Sequence, residues 1–300
     1  MARWAAFRHT QRMLELHFAG YQPARSVHTR GLHALRESVA HRSDGALGIK
    51  VTDSIVSQGR KAADLLTMVE SGELDGCYFA SSYLAARVPA LGVFDEPFQA
   101  GARDVVFSRL DGDQGAALAE QVAAVTGYRV LGWWDNGIRH ISNGVRPIRT
   151  PADCVGLRLR TLDNACHQDA FRRLGFQPMF VDVADLAQAV ADRTVDAQEN
   201  PLTNMINFGV QTHHAHVSMT GHLLGIAVLL MNRARLDAVP ESLRRALIAC
   251  SQECEQIQRQ SAVEEDAECC RLLSDAGVSI VEADDIDLAA FRSAASDLPY

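Results

Sequence analysis

The order in which hydrophobic periods change along the chain constrains its fold more than any single motif does. Leu14, Leu16 and Phe18 alternate with Glu15 and His17, the period of a half-buried strand that ends at Gly20. Residues 25–42 switch to helical spacing, with Val27, Leu32, Leu35 and Val39 on one side, and Ser43-Asp44-Gly45 closes the segment. A second strand is predicted over 46–52, a second helix over 59–71 and a third strand over 74–79. Strands alternating with helices in this order imply a parallel sheet with helices on its faces.

The pattern then runs through a loop region around Pro89, Pro97 and Gly101, a helix over 112–126 and a strand over 128–134 that leads out of the first unit. After Pro151 it restarts: strand 157–161, helix 163–174, strand 179–181, helix 184–192 and a short strand over 195–197. Residues 214–231 read as one very long strand or two joined ones. From Pro240, tolerated in a first turn that needs no amide donor, a helix is predicted to run to about Ala276, where Gly277 ends it. At 1.5 Å per residue such a helix is about 50 Å long, more than one lobe can hold. The expectation is therefore an α/β chain of two lobes spanned by one helix. Residues 14–136 plus about 222–255 form the first lobe, and 137–221 plus about 256–300 the second. Ligands of open α/β sheets sit beyond the carboxyl ends of the strands, here in the cleft between the lobes.

Composition removes several function classes. With 300 residues, 47% of them hydrophobic, a sizeable core is available. The formal net charge of -8 argues against a general nucleic-acid binder, which must neutralise phosphates, but not against a small anion in a buried site. Lysine occurs only at Lys50 and Lys61, neither in a phosphate-loop context, so the cationic chemistry belongs to arginine, whose planar fork suits carboxylates. Seven cysteines in scattered spacing do not form a disulfide framework. Cys250 and Cys254, four apart on the long helix, read as small buried residues rather than metal ligands. Residues 1–13 carry no apolar leader core, and the stretch 217–231 is too short and interrupted to span a bilayer.

Catalytic signals are weak. The chain lacks a G-x-S-x-G elbow, an H-E-x-x-H pair and a G-x-G-x-x-G opening a helix. His213, His214 and His216 read as an exposed loop. Asp182, Asp185, Asp192 and Asp196 read as helix caps and solvated faces. No cofactor and no metal is expected.

Three segments are specific: 132–148 (GWWDNGIRHISNGVRPI), 151–167 (PADCVGLRLRTLDNACH) and 195–202 (VDAQENPL). Each joins a strand to polar residues and turn formers. Trp134-Asp135-Asn136-Gly137-Ile138-Arg139, Arg146-Pro147-Ile148, Pro151 through Arg160, Leu174-Gly175-Phe176-Gln177-Pro178 and Val195-Asp196-Ala197-Gln198-Glu199-Asn200-Pro201 follow in order. This run resembles the solute-binding proteins of tripartite ATP-independent periplasmic (TRAP) transporters, of the C4-dicarboxylate and organic-acid-binding type. Their pattern reads W-E-N-G-F-R, R-P-I, P-x-D-L-K-G-L-K-I-R, L-G-A-x-P, then D-G-Q-E-N-P. The resemblance covers roughly residues 14–292 and is weaker in the N-terminal third. Ala197 stands where the family has glycine, Cys154-Val155 where Leu-Lys is common, and Ile138 where an aromatic residue is usual.

The resemblance implies a periplasmic-binding-protein fold and a receptor that closes around a small organic acid and delivers it to membrane subunits. It also implies a periplasmic location and a monomer, with no catalysis. It assigns to Arg160 the two-point salt bridge to the ligand carboxylate. A strand-end position facing the cleft fits that role, the alternative being an arginine in a surface ion pair. Arg139 is the second donor to the carboxylate or to a hydroxyl. Asn200 can donate and accept at once, or can serve as a turn residue. From the first lobe Ser81 and Tyr21 are the candidates at strand ends. Trp134 is a candidate pocket wall or a core tryptophan. A cytoplasmic sensor on the same fold and an enzyme acting on a carboxylate are the competing readings.

Overall fold

A computed structural model describes residues 13–98 and 102–296. The first alternating run forms β1 (Leu14–Ala19), followed by α1 (Val27–Arg42), β2 (Leu47–Thr52), α2 (Asp64–Ser71) and β3 (Gly76–Ala80). β1 pairs in parallel with β2 over its whole length and with β3 at Phe18 and Ala19, as β-α-β connections require. Ser26 caps α1 by accepting from the His28 amide, which sets the helix two residues later than its periodicity suggested. Two helices follow, α3 (Arg103–Leu110) and α4 (Asp113–Val125), of which the first was expected to be loop. The loop region expected around Pro89, Pro97 and Gly101 is a 3-10 turn at Pro89–Phe94, while Gly101 and residues 1–12 lie outside the described residues.

The strand expected to stop at Trp134 continues to Asn143 as β4 (Tyr128–Asn143). It pairs antiparallel, from Tyr128↔Asn232 to Asn143↔His216, with β8 (His216–Asn232), the single long strand of the two alternatives. Between them come β5 (Arg158–Thr161), α5 (Ala165–Arg173), β6 (Gln177–Phe180), α6 (Val183–Ala191), β7 (Ala197–Pro201) and α7 (Leu202–Asn207). α8 (Arg233–Ala238), α9 (Glu241–Asp275), β9 (Ser279–Val281) and α10 (Leu288–Ser296) complete the chain. The strand order is β2-β1-β3-β8-β4-β7-β5-β6, with β9 on β8. β3 occupies the Ala227–Met231 end of β8 and β7 the Arg139–Asn143 end of β4, so the two long strands carry one sheet from lobe to lobe.

The β4–β8 ladder shifts register at Val130/Gly132, Asp135/Gly137 and Arg139/Ile141, and bulges of this kind bend a strand. Gly137 sits at the middle shift with φ +95°, and a Cβ there would lie 2.7 Å from the Pro201 Cβ. Both facts require glycine. The edge of β4 that β7 does not reach is covered by α9. Glu255 accepts from the Trp133 amide at 2.9 Å, Gln258 brackets Asp135 with two 2.8 Å bonds, and Arg259 donates to the Trp133 carbonyl at 2.9 Å. Backbone groups buried without a strand partner are thereby satisfied.

Apolar side chains gather in separate clusters. One runs from Leu16 through Trp134 and Leu230 to Cys254, a second holds Ile141, Leu159, Phe171 and Phe291, and a third holds Leu186, Met205, Cys269 and Leu273. α9 contributes Leu247, Cys250 and Cys254 to the first and Cys269 and Leu273 to the third, so it does span both lobes. His214 departs from the expected exposed loop: it is buried against the Ser142 hydroxyl at 2.9 Å, and burial pushes its pKa down to about 4. Among the described residues, no helix is long and apolar enough to cross a membrane.

Candidate functional site

The segment with Gln198, Glu199 and Asn200 was expected to follow a short strand, but it is itself the strand β7, buried along its length. β7 lies between β4 and β5, so Arg139 on β4 and Arg160 on β5 flank it. Both arginines are almost fully buried, at 2% and 1% exposure, yet their surroundings differ completely.

Arg139 is matched by a carboxylate. Its Nε donates to Glu199 Oε2 at 2.5 Å, and its Nη2 donates to Glu199 Oε1 and to the Glu199 carbonyl, each at 2.8 Å. Glu199 also accepts from the Thr161 hydroxyl at 2.9 Å and faces His222 Nε2 at 3.3 Å. Burial alone would push the Glu199 carboxyl up, but Arg139 and His222 hold it well below the usual carboxylate range. Burial likewise opposes the Arg139 charge, and the Glu199 carboxylate outweighs it.

Arg160 has no such partner. Its Nε donates to the Val181 carbonyl at 2.8 Å. Its Nη1 is buried without a hydrogen-bond partner, and it forms no ion pair with any described carboxylate. A buried guanidinium edge left unpaired is costly, so it marks where an anion fits. Facing it from the first lobe are the phenols of Tyr21 and Tyr83. Burial pushes both phenols up in pKa, against the opposing pull of Arg139 and Arg160, so both stay protonated. Tyr83 belongs to the 3-10 turn Ser81–Tyr83 that follows β3, and Ser81 in that turn is buried with its hydroxyl unpaired.

Asn200 stands within a chain of amides. Gln22 donates to Asn204 at 3.0 Å, Asn204 to Asn200 Oδ1 at 3.3 Å, and Asn200 to Gln198 at 2.5 Å. Arg139 adds a 3.4 Å contact to Asn200 Oδ1. Protein groups thus use both acceptor positions of Asn200 and one of its two N–H bonds, leaving one N–H. Trp134 is placed elsewhere: it is fully buried, its ring stacks on Tyr78 at 5.9 Å, and it packs over Gly31 of α1. Its surroundings are those of a core residue of the first apolar cluster.

The lobes are in contact across the cleft. Arg25 donates to Asn207 at 2.8 Å and to the Ile206 carbonyl at 2.5 Å, at the end of α7. On another side Asp95, itself fully buried, accepts from Asn164 at 2.8 Å and meets His167 at 3.3 Å. The lobes thus touch at two places, and Arg160 keeps a buried nitrogen without a hydrogen-bond partner. Glu199, Tyr83 and Asp95 were not singled out in the sequence. Signals existed: Glu199 lies inside the Gln198-Glu199-Asn200-Pro201 run, Asp95 in the Asp95-Glu96-Pro97-Phe98 run, and Tyr83 directly after Ser81 and Ser82.

Residues 18–298 match the family described as bacterial extracellular solute-binding protein, family 7 (DctP). The chain belongs to that family. Family-7 proteins are solute receptors of TRAP transporters, which bind small organic acids and work with membrane permease subunits. A solute-binding protein of Verminephrobacter eiseniae is 31% identical over 228 residues, covering 75% of this chain and 67% of the relative. A 2,3-diketo-L-gulonate-binding periplasmic protein of Escherichia coli is 28% identical, covering 84% of this chain and 76% of its own length. The crystal structure of a TRAP periplasmic solute-binding protein from Polaromonas, bound to D-erythronate, superposes with a TM-score of 0.88 at 26% identity, covering 94% of this chain and 92% of the other. The expected two-lobed α/β periplasmic-binding fold is therefore the fold of this family-7 protein.

Proposed function

We propose that this family-7 protein is an extracytoplasmic receptor whose cleft closes on a small organic acid, with Arg160 gripping the carboxylate, and that it passes the acid to TRAP membrane subunits. The observation that carries this is the buried Nη1 edge of Arg160 without a protein partner, beside a second arginine whose charge is already matched. Two parallel N–H bonds from a planar fork to a carboxylate in a dry cleft fill that vacancy. Arg139 and Asn200 then act mainly through the frame they build around β7, each with N–H capacity left for a ligand oxygen. Ser81 and Tyr21 offer a hydroxyl and a phenol from the opposite lobe.

The lobe boundaries that suit this reading are 14–136 plus about 222–255, and 137–221 plus about 256–300. The bulged part of β4 serves as the hinge. Closure then couples occupancy to the outer surface that a permease reads. The protein works as a monomer in the periplasm and performs no catalysis on its ligand. Seven free cysteines, Cys166 among them exposed, suit the cytoplasmic alternative better than an oxidising compartment, although Cys77, Cys154, Cys254 and Cys269 are buried, which pushes each thiol up, away from reactive thiolate.

A thermal-shift screen over organic acids tests the reading. At least one acid should raise the Tm of the wild type and fail to do so for Arg160→Ala. Removing one partner of a buried charge pair costs about 2–5 kcal/mol, so affinity should fall by roughly 30-fold or more. Equal stabilisation of both proteins by the same acid would show that Arg160 is not the grip.

A further inference from the structure

The charges around the cleft say more about the ligand than that it is an acid. Arg139 is cancelled by Glu199. His140, beside Asn200 in the ladder, is buried and neutral, its pKa pushed down to about 3, and burial also lowers that of His222. The first-lobe groups around the site carry no charge: Tyr21 and Tyr83, which interact with Arg160, Ser81 in the same turn as Tyr83, and Gln22, bonded to Asn204 beside Asn200. Arg25, the first-lobe cation nearest in sequence to Tyr21, is committed to the end of α7. Carboxylates are present as well: Asp182, which caps α6 through the Ala184 amide, and Asp95 at the contact with α5. Arg160 is therefore the only uncancelled positive charge at the site among the described residues.

We infer that the cleft is built for an acid with a single carboxylate and with hydroxyl or keto oxygens along the rest of its length, and that it rejects an acid with a carboxylate at both ends. The inference rests on the Arg160 reading above. With one carboxylate held by Arg160, the far end of the ligand meets neutral donors and acceptors. A second carboxylate there is stripped of water without a cation, and beside Tyr83 it also meets the field of Asp182. A hydroxyl in the same place finds matched partners, because Ser81 has a buried hydroxyl with no protein bond and the Tyr83 phenol, whose oxygen accepts from Arg160, keeps its O–H to donate. A plain alkyl chain leaves those groups unpaired. Sites built to hydrogen-bond a substrate hydroxyl reject analogues lacking it.

Calorimetric titration of the purified protein with matched acids tests this. D-erythronate and meso-tartrate differ only in whether the far carbon is an alcohol or a carboxylate, as do D-gluconate and D-glucarate, and D-galactonate and galactarate. In at least one pair the monoacid should bind, at least tenfold tighter than its diacid and at least tenfold tighter than the alkanoate of the same length. Ser81→Ala should weaken that monoacid several-fold and leave the Tm of the ligand-free protein unchanged. A diacid that binds as tightly as its monoacid, an alkanoate that matches the hydroxy acid, or succinate binding where no monoacid does would each overturn the inference while leaving Arg160 as the grip. Equal binding of the best acid by wild type and Arg160→Ala would instead overturn the Arg160 reading, and this inference with it.

Discussion

Replacing Glu199 by Gln keeps the volume and removes the charge, and so isolates what the carboxylate does for the frame of the site. In the native protein Glu199 receives two N–H bonds from the Arg139 side chain and one bond from Thr161, and it faces His222, all in buried surroundings. The glutamine amide can accept at one atom only, and its NH2 group points at donors. Arg139 is left as a buried cation without a counter-charge. Breaking a buried pair in this way costs about 3–5 kcal/mol. In a chain of this length that corresponds to a Tm lower by roughly 5–8 °C. The Glu199 pKa is depressed in the folded protein, so its contribution is complete above the unfolded value, near 4.5, and is lost as pH falls through the folded value. Urea unfolding of the ligand-free protein at pH 7 and at pH 3.5 checks both parts: the gap between wild type and Glu199→Gln should be large at pH 7 and smaller at pH 3.5. A gap below about 1 kcal/mol at pH 7 would refute the assignment of Glu199 as the charge partner of Arg139.

Three other outcomes follow from the same structure. Asp135 is buried against Arg103, and burial raises its pKa to about 6; the folded state therefore takes up a proton between about pH 4 and 6, stability falls as pH rises through that window, and Asp135→Asn should flatten the slope in a pH series of unfolding curves. Trp134→Phe should lower stability by about 1–3 kcal/mol in denaturant unfolding, by loss of packing on Tyr78 and Gly31, and change ligand affinity less than about threefold; a large affinity loss with little destabilisation would place Trp134 in the pocket after all. Gly137→Ala meets both a positive φ and the Pro201 ring, so a loss of at least about 1 kcal/mol is expected, and a neutral result would contradict the described bulge.

Much of the fold was legible because its elements are strongly periodic. The alternation of Leu14, Leu16 and Phe18 gave β1, and Pro240 and Gly277 bracketed α9 to within a residue. β4 was half missed because Gly132 through Gly137 breaks the alternation with bulges, whose amides are satisfied by Glu255 and Gln258 more than 120 positions away. Short α3 and α7 offered too few turns to show a period. At the site, the motif resemblance pointed to Arg160, Arg139 and Asn200, but a motif does not say which arginine is already paired. That distinction depends on β7 lying between β4 and β5, which brings Glu199 to Arg139 from 60 positions away and leaves Arg160 without a carboxylate. Trp134 looked ambiguous because its partners, Gly31 and Tyr78, come from other elements.

The central claim is that Arg160 and the ligand carboxylate are bonded to each other. The most direct measurement is a double-mutant cycle that uses the best-binding acid and its carboxamide against wild type and Arg160→Ala, with Kd from calorimetry. Close charge pairs at interfaces couple by about 1.5–7 kcal/mol. The expected result is a coupling of at least about 2 kcal/mol, with the amide bound much more weakly than the acid by the wild type and nearly equally by the variant. A coupling near zero, with acid and amide separated by the same factor in both proteins, would mean that the carboxylate is held elsewhere.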